Sequence, residues 1–542
     1  MAKDIMFSCD LRKKIQKGVE IVNNSVRFTL GPKGRNVIIS QSYGAPLIVN
    51  DGVTIAKSIE LKDQFEELGA KSLIEASIKT NDLVGDGTTS AIIVGAKLIK
   101  DGIDKINKGI NPVEIRKGLN YYLKEIVNEI KKASSPVTTN EDIYKVAYIS
   151  SQDELVSKLI TDAYEKIGKS GVITLEESQG VETTLSVVDG YSYDRGYLSS
   201  YMVNESGIAE LINPYVLILD KKVTSMNELV PFLEVAIKDA RPLLLICSEL
   251  EQEVLSALVI NKVRGIINVV ATSSPAFGTK RTKILSDIAL LTDATFIGSG
   301  LNEIPNLENN KLGTAKKIII SNSETIIISD INSNKIKSRV KELNEEVKNT
   351  KSDYEKEQLE QRISKLSGGI GIIKVGALTE LEVKEKKLRI EDAICSTKAA
   401  ISEGIIEGGG KVFFEISEKL NNDFEEYSVA KELLVNALKE PFYQLLENAG
   451  ANKDEILSKV NKNMWYDAST DQVVEYKNAG IIDPTMVAIS VITNAISIAS
   501  ILLTTECGIV DIKENIKEEK IEDDLLWWII MMKKHYLIKS RN

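Results

Sequence analysis

The chain changes its hydrophobic period twice, and these changes limit its fold more than any other feature. From 15 to 30 and from 65 to 130, apolar residues recur at three and four positions, which predicts amphipathic helices. From about residue 171, short β-branched runs alternate with helical segments. The helical period returns from about 391 to about 505. We therefore expect the two helical ends to form one discontinuous domain with an α/β middle inserted.

Two shorter patterns predict hairpins. Residues 36–40 and 46–49 flank a Tyr-Gly-Ala turn and predict a β-hairpin. Residues 336–366 carry two helix-spaced apolar stripes around a capping pattern at Ser352 and Glu355. This segment predicts an antiparallel helical hairpin, followed by a strand after the Gly-Gly pair at 368–369.

Composition excludes several functional classes. A chain of 542 residues is too long for one core, and its net charge of −10, with Lys and Arg interleaved among acids, does not suit nucleic-acid binding. The chain has a single histidine, His535, near its end, and this composition argues against His-based triads and His metal clusters. Four dispersed cysteines and the lack of an apparent signal or transit segment favour a cytoplasmic protein. The apolar run 525–532 is too short to span a bilayer, so no membrane partner is expected.

Three glycine-rich turns, at 29–34, 86–90 and 408–410, offer backbone amides to a phosphate. In the second turn, an acid and two threonines suit Mg²⁺ and phosphate oxygens. Taken singly, each turn is better explained as a tight turn or a helix cap. No Walker A pattern occurs, and no G-x-G-x-x-G follows a strand, so a nucleotide site here is neither a P-loop nor a Rossmann site. Asp51 and Asp392 are ordinary surface acids unless the fold brings them to these turns.

Apolar stripes in the middle of the chain have two interpretations. They comprise a cluster at 197–202 and two helix-spaced sets at 229–233 and 255–260. The residues alone favour core packing. The alternative is an exposed groove that accepts many partners.

Together these segments resemble the group I (GroEL-type) chaperonins over residues 3–511. The matching motifs, in the family's order, are TLGPKGRNV (29–37), NDGVTIAKSIEL (50–61), NDLVGDGTTS (81–90), YDRGYLS (193–199), VKEKKLRIEDA (383–393), EGGG (407–410) and GIIDPT (480–485). The resemblance implies a multidomain α+β fold. It places a mostly helical equatorial domain at 1–132 and 403–517, a small α/β intermediate domain at 133–188 and 371–402, an α/β apical domain at 189–370, and an atypical tail at 518–542.

The resemblance also implies an ATPase that uses ATP and Mg²⁺, with K⁺ as a further candidate. It makes Asp86 the metal ligand, Asp392 the acid that positions water, and Asp51 a second catalytic acid beside the γ-phosphate. The implied nucleotide contacts are Thr29, Leu30, Gly31, Pro32, Asp86, Gly87, Thr88, Thr89, Ser90, Gly409, Asp467, Ala468, Ser469 and Asp483.

Three positions depart from the family pattern and bear on nucleotide affinity and turnover. Asn50 stands where the family usually has Lys, so a charge-assisted phosphate contact is lost. The family's Asn-Ala-Ala near adenine is here the Asp-Ala-Ser run at 467–469, whose acid still offers an acceptor to the adenine amino group. Glu407 precedes the glycine run where a small residue is common.

For the apical stripes, the resemblance reverses the preference and implies exposed side chains that bind unfolded polypeptides and a small GroES-type lid. They are Tyr197, Tyr201, Met202, Val230, Leu233, Leu255, Val259 and Ile260. It further implies a homo-oligomer of two stacked seven-membered rings with no nucleic-acid partner. The expected function is ATP-driven enclosure and folding of unfolded polypeptides. The alternative is a passive holdase with impaired ATP turnover, and a metabolic enzyme is disfavoured because no nucleophile and base pair occurs elsewhere.

Overall fold

The structure is a computed structural model. It describes residues 2–41, 46–169, 171–178, 180–204, 207–298, 311–329, 333–350, 352–423, 427–476 and 480–511. The tail at 518–542 lies outside the described residues, as does the turn of the predicted β-hairpin. The two strands of that hairpin, β2 (Val37–Ile39) and β3 (Leu47–Val49), pair antiparallel as predicted.

Helices from both ends of the chain share the largest hydrophobic core. The first group is α1 (Ser8–Val26), α2 (Gly52–Lys57), α3 (Gln64–Val84), α4 (Thr88–Asn107) and α5 (Pro112–Ala133). The second is α14 (Lys411–Asp423), α15 (Ser428–Ala449) and α17 (Thr485–Leu503). Helix α16 (Lys453–Lys459) packs instead in a smaller core with the end of α15. Strand β1 (Lys3–Phe7) pairs antiparallel with β20 (Cys507–Asp511), so the two ends are also joined by a ladder.

Helix α17 lies at the centre of this core. It is apolar on all sides and packs on α3, α4 and α5. Within the described ranges it is the one helix long and apolar enough to cross a membrane, and most of it is buried in the protein. Its composition is therefore that of a core helix.

The middle of the chain forms a second core around two sheets. Strands β8 (Tyr215–Val223), β9 (Leu243–Leu250), β10 (Val269–Ser273) and β11 (Phe296–Gly298) run parallel in the order β10-β9-β8-β11, and β12 (Gly313–Thr314) adds antiparallel to β8. The antiparallel sheet has the order β6 (Gly190–Tyr193), β14 (Thr325–Ile328), β13 (Lys317–Ile320) and β7 (Ala209–Ile212). The helices here are α8 (Val230–Lys238), α9 (Gln252–Val263), α10 (Gly278–Thr292), α11 (Ser333–Asn349) and α12 (Asp353–Ser367).

A third core combines two segments, 137–173 and 373–405, which precede and follow the middle region in the sequence. It contains α6 (Asn140–Ser151), α7 (Glu154–Ile167) and α13 (Glu380–Glu403). Strand β15 (Ile370–Val375) runs between β4 (Val172–Glu177), which is parallel to it, and β5 (Thr184–Val188), which is antiparallel. Two short ladders complete the described sheets: β16 (Ile405–Glu407) with β19 (Ile482–Pro484), and β17 (Met464–Asp467) with β18 (Gln472–Glu475).

The multidomain α+β fold class and the helical hairpin α11–α12 agree with the sequence predictions. Ser352 caps α12 by accepting from the Glu355 amide, and the predicted strand β15 follows. Helix α13 begins eleven residues before the predicted start at Glu391, because Thr379 accepts from the Glu382 amide and caps it there. The residue limits of the three domains stay predictions.

Candidate functional site

The turn between α3 and α4 presents an open helix N-terminus. Gly85 ends α3 at φ 67°, and Gly87 begins α4 at φ 79° without a side-chain cap. The first amides of α4 are thus free of side-chain capping, with the buried Thr88 and Thr89 beside them. A Cβ at Gly85 would lie 2.5 Å from the Cys395 Cβ, so α13 packs directly on this turn. Such a terminus suits an anion.

The first glycine-rich turn lies against this helix start. The Thr29 and Thr89 hydroxyl oxygens are 3.2 Å apart, and the Asn448 amide donates to the Leu30 carbonyl at 2.9 Å. Gly31 has φ 82° and lies so close to Leu445 that an added Cβ would clash at 2.2 Å. The fold thus places two of the three predicted turns together, with Pro32 in the first and Ser90 in α4.

Asp51 caps α2 next to the same helix start. Its carboxylate accepts from the Val53 and Thr54 amides at 3.2 and 2.9 Å. A Cβ at the following residue, Gly52, would lie 2.4 Å from the Thr89 hydroxyl. Asp51 is therefore positioned at the start of α4 by its own capping hydrogen bonds.

Asp86 lies between this turn and the third core. Burial raises its pKa, and hydrogen bonds from the Ser396 hydroxyl and the Gly87 amide partly offset that rise. Ser396 belongs to α13, and Ser150 of α6 also donates to Asp86. Two hydroxyls from the third core therefore hold the predicted metal ligand. No sequence pattern points to Ser150, whereas Ser396 lies one helical turn after Asp392 in α13.

Asp392 belongs to the same acid cluster. Burial raises its pKa well above the ordinary value, and the charges of Asp51, Asp86 and Glu391 raise it further. Because Asp392 and Ser396 are four residues apart in α13, they share one helix face. The fold thus unites acids that lie more than 300 positions apart in the sequence.

The third glycine-rich turn joins the cluster through Asp483. Gly409 has φ 63°, and its amide donates to the Asp483 carboxylate. A Cβ at Gly408 would lie 2.8 Å from Asp483 Oδ1, so only glycine fits there. Burial and the charge of Asp86 raise the pKa of Asp483 to about 6.

The run at 467–469 has a different environment. The Asp467 carboxylate accepts from the Ser469 amide at 2.8 Å, the Ser469 hydroxyl at 2.6 Å and the Thr470 hydroxyl at 3.0 Å. Burial opposes these hydrogen bonds, but they lower the Asp467 pKa. Ala468 is buried, and Trp465 ties the hairpin to the third turn by donating to the Gly409 carbonyl at 3.1 Å. An adenine contact by Asp467 stays a prediction.

The donor set fits Mg²⁺-nucleotide better than a protein-enclosed metal. Within the ranges that the structure describes, no three His, Cys, Asp or Glu side chains are placed to hold a metal ion. Mg²⁺ commonly takes one or two carboxylates together with phosphates and water. Asp86 beside an open helix N-terminus provides such a site, and a cation there would relieve the repulsion among the clustered acids.

In the middle region, the predicted client-binding residues differ in how far their side chains are exposed. Tyr201, Val230 and Ile260 are exposed, and Tyr197, Leu255 and Val259 are half-buried. The prediction that all eight are exposed is wrong for Met202 (0%) and Leu233 (6%). Met202 packs under the sheet, where its sulfur accepts from the Ala271 amide at 3.4 Å, and Leu233 lies on the inward face of α8.

Sequence reasoning missed further exposed apolar residues in this region, notably Ile237, Val263, Ile266 and Phe277. Val263 follows Val259 by four positions and Ile260 by three, so extending the stripe by one turn would have found it. Phe277 lies in the loop before α10, where no periodicity applies.

The raised pKa of Asp483 predicts a pH-dependent stability. The folded protein keeps the Asp483 proton up to about pH 6, whereas the unfolded carboxyl, with an ordinary pKa of 3.8, has already lost it, so ionised Asp483 destabilises the fold. This penalty grows from about pH 4 to about pH 6 and is constant above. Replacing Asp483 with Asn is therefore expected to raise the thermal unfolding midpoint of the nucleotide-free protein more at pH 7 than at pH 4.5, as measured by scanning fluorimetry.

The matched control is the exposed Asp104→Asn, which should change the midpoint equally at both pH values. An equal change for Asp483→Asn would contradict the assignment.

Comparison with known proteins agrees with this architecture. The sequence profile of the TCP-1/cpn60 chaperonin family matches residues 22–513. Chaperonin GroEL from Acholeplasma laidlawii (strain PG-8A) is 43% identical over 525 residues, covering 95% of this chain and 98% of that protein.

Solved structures share the fold. Two crystal forms of the chaperonin gp146 from the bacteriophage EL 2 (Pseudomonas aeruginosa), both in the presence of ATP-BeFx, match with TM-scores of 0.71 and 0.61 at 22% and 21% identity. Each match covers 94% of this chain and 99% of the phage protein. On the family profile and the identity to GroEL, this chain belongs to the TCP-1/cpn60 chaperonin family, as a GroEL-type chaperonin that assists protein folding in an ATP-dependent way.

Proposed function

We propose that ATP and Mg²⁺ bind where the three glycine-rich turns meet. The observation that carries this proposal is the convergence of Asp51, Asp86, Asp392 and Asp483 at the open N-terminus of α4. The raised pKa values of Asp86, Asp392 and Asp483 mean that their ionised forms are costly in the folded protein, and such groups are typical of functional sites. The helix amides and threonine hydroxyls supply donors for phosphate, and Asp86 supplies the metal ligand.

The proposed hydrolytic role falls to Asp392, with Asp51 beside the γ-phosphate. Bound Mg²⁺ would supply electrostatic stabilisation of the transferred phosphoryl group. Asp392 reaches the site from α13, whereas Asp51 and Asp86 belong to the helical core, so movement of α13 would control whether a water is positioned. K⁺ is proposed as an additional cation in the same region.

The equatorial, intermediate and apical domains, with the residue limits given above, are proposed to be the units that move. In the apical unit, the exposed Tyr201, Val230 and Ile260 and the half-buried Tyr197, Leu255 and Val259 are proposed to bind unfolded polypeptides and a GroES-type lid. Unfolded clients expose apolar side chains, and an apolar surface without specific polar partners accepts many of them. The protein is proposed to work in the cytoplasm.

Assembly into two stacked seven-membered rings gives a prediction of its own. A head-to-tail interface repeated around a closed ring ends only when the ring is complete, so intermediate sizes should be rare. Size-exclusion chromatography with multi-angle light scattering is expected to give a mass near fourteen times the 59.8 kDa chain. A stable monomer at micromolar concentration would contradict the chamber, and half the expected mass would indicate a single ring.

The function itself is tested by measuring Mg²⁺-dependent ATP turnover together with refolding of a denatured client. Turnover accompanied by recovered client activity supports the proposal. Protection from aggregation without turnover would contradict it and leave a passive holdase. Absence of both would also reject the client surface.

A further inference from the structure

A buried lysine lies directly behind the third glycine-rich turn. Lys411 is the first residue of α14, follows Gly410 and is 1% exposed. Lysine is almost never fully buried unless its ammonium is paired, because desolvating a charge is costly. A buried lysine at this point of the fold therefore calls for a set of partners.

The ammonium group of Lys411 has four of them. It lies 2.6 Å from the Glu407 carboxylate, 3.7 Å from that of Glu415, and donates to the Lys462 carbonyl at 2.7 Å. It also lies 4.2 Å from the centre of the Tyr476 ring, within cation–π range. Glu407, which departs from the family pattern, is thus the closest partner of a buried cation.

These partners brace the glycine-rich turn from two sides. Glu407 ends β16 immediately before the turn, and Lys411 begins α14 immediately after it, so their ion pair closes the turn at its base. The Tyr476 hydroxyl accepts from the Gly408 amide at 2.7 Å and donates to the Ile481 carbonyl.

Two backbone groups of Gly409 link the same turn to its surroundings, one of them to the proposed nucleotide site. The Gly409 amide holds Asp483, and the Gly409 carbonyl accepts from Trp465. Gly409 and Gly410 both have positive φ, and as glycines they have no side chains that could hold this backbone in place. The orientation of the Gly409 amide therefore depends on the groups at the base of the turn.

We propose that Lys411, through its ion pair with Glu407, is a positioning residue that sets nucleotide affinity. The pair fixes the turn whose Gly409 amide holds Asp483 in the acid cluster of the proposed nucleotide site. This inference rests on the proposed nucleotide site. It adds a determinant of affinity that touches neither nucleotide nor metal.

Trp465 supplies a readout that does not depend on catalysis. The chain has three tryptophans, and the other two, Trp527 and Trp528, lie outside the described residues. Replacing those two with Phe leaves Trp465 as the sole reporter, in hydrogen bond with the turn itself. Its emission is measured without nucleotide and during titration with Mg²⁺-ATP and with Mg²⁺-ADP.

In this background, Lys411→Met is expected to shift the Trp465 emission in the nucleotide-free protein and to raise the nucleotide Kd about tenfold, the effect of one lost charge-assisted hydrogen bond. The kcat should stay within about twofold, because the acids at the γ-phosphate are unchanged. The control is Lys419→Met in the same helix, whose exposed ammonium pairs with Glu129 away from the turn. It should leave emission and Kd unchanged.

Two further variants keep the test decisive. Glu407→Gln keeps the shape of the side chain and should raise Kd severalfold even if Lys411→Met fails to fold. Combining Glu407→Ala with Lys411→Met removes both charges, and it should restore thermal stability without restoring affinity. Parent affinity and emission in Glu407→Gln, or parent affinity in the double variant, would overturn the positioning role. Lack of nucleotide binding by the parent protein would instead reject the nucleotide site itself.

Discussion

Replacing Asp392 with alanine is expected to slow ATP hydrolysis by about 10²–10⁴-fold, the range assigned to a positioned acid or base. No histidine occurs among the described residues, so a carboxylate is the proposed group that orients the water, and Asp86 is the proposed metal ligand. Burial and neighbouring acids raise the pKa of Asp392, so a cation brought to Asp86 would favour its ionised form only after nucleotide binds. Single-turnover hydrolysis measures the step directly.

Mg²⁺-ATP affinity should change little in the Asp392 variant, because Asp392 approaches from α13 rather than from the phosphate-binding turns. The matched control is Asp86→Ala, which should weaken Mg²⁺-nucleotide binding itself. Nucleotide affinity in this variant should no longer depend on the Mg²⁺ concentration. Hydrolysis at the parent rate in Asp392→Ala would reject the role of Asp392, and Asp51 would be the next acid to replace.

Replacing Tyr201 with glutamate is expected to weaken capture of unfolded polypeptide at least about thirtyfold, the effect of losing a 2 kcal/mol hot spot. Tyr201 is 72% exposed, so the change leaves the core intact. A new charge facing an apolar client must be desolvated without a partner, which adds to the lost contact area. Binding is measured with a denatured fluorescent client, and lid binding should weaken in parallel.

ATP turnover should remain near the parent value in Tyr201→Glu, since Tyr201 lies on the surface of the middle region, whereas the proposed nucleotide site lies in the helical region formed by the two ends of the chain. Leu155→Glu, at an exposed apolar position on α7, is the matched control and should capture clients normally. Leu233→Ser is a poor substitute, because Leu233 is buried and its loss would also destabilise the apical unit. Normal capture by Tyr201→Glu would remove Tyr201 from the client surface.

Local patterns predicted most of the secondary structure, because helix and strand periods are short-range properties. The α11–α12 hairpin follows from apolar spacing and one serine cap. Strand β10 begins only at Val269, although the β-branched run starts at Ile266, because Gly265 at φ 71° follows the end of α9 and the Ile266 amide bonds back to the Asn261 carbonyl. A turn of this kind leaves no signal in a hydrophobic period.

The site could be named only through the family resemblance. Asp51, Asp86, Asp392 and Asp483 are distributed over more than 400 positions, and nothing in their local spacing brings them together. The same reason hides Ser150 and the Lys411 network, whose contacts depend on the tertiary fold. The errors at Met202 and Leu233 have another cause: periodicity identifies a helix or turn with an apolar face but does not say whether that face meets solvent or a sheet.

The central position of α17 has a consequence for how the protein is made. Helices α3, α4 and α5 leave the ribosome early, but α17, the helix that fills the space between them, is translated about 350 residues later. At 5–20 residues per second, this amounts to roughly 20 to 70 s during which their apolar faces lack a partner. The middle region, with its own core, can fold in the meantime. Nascent chains of this protein therefore expose, for most of their synthesis, the kind of surface that the finished protein is built to protect in others.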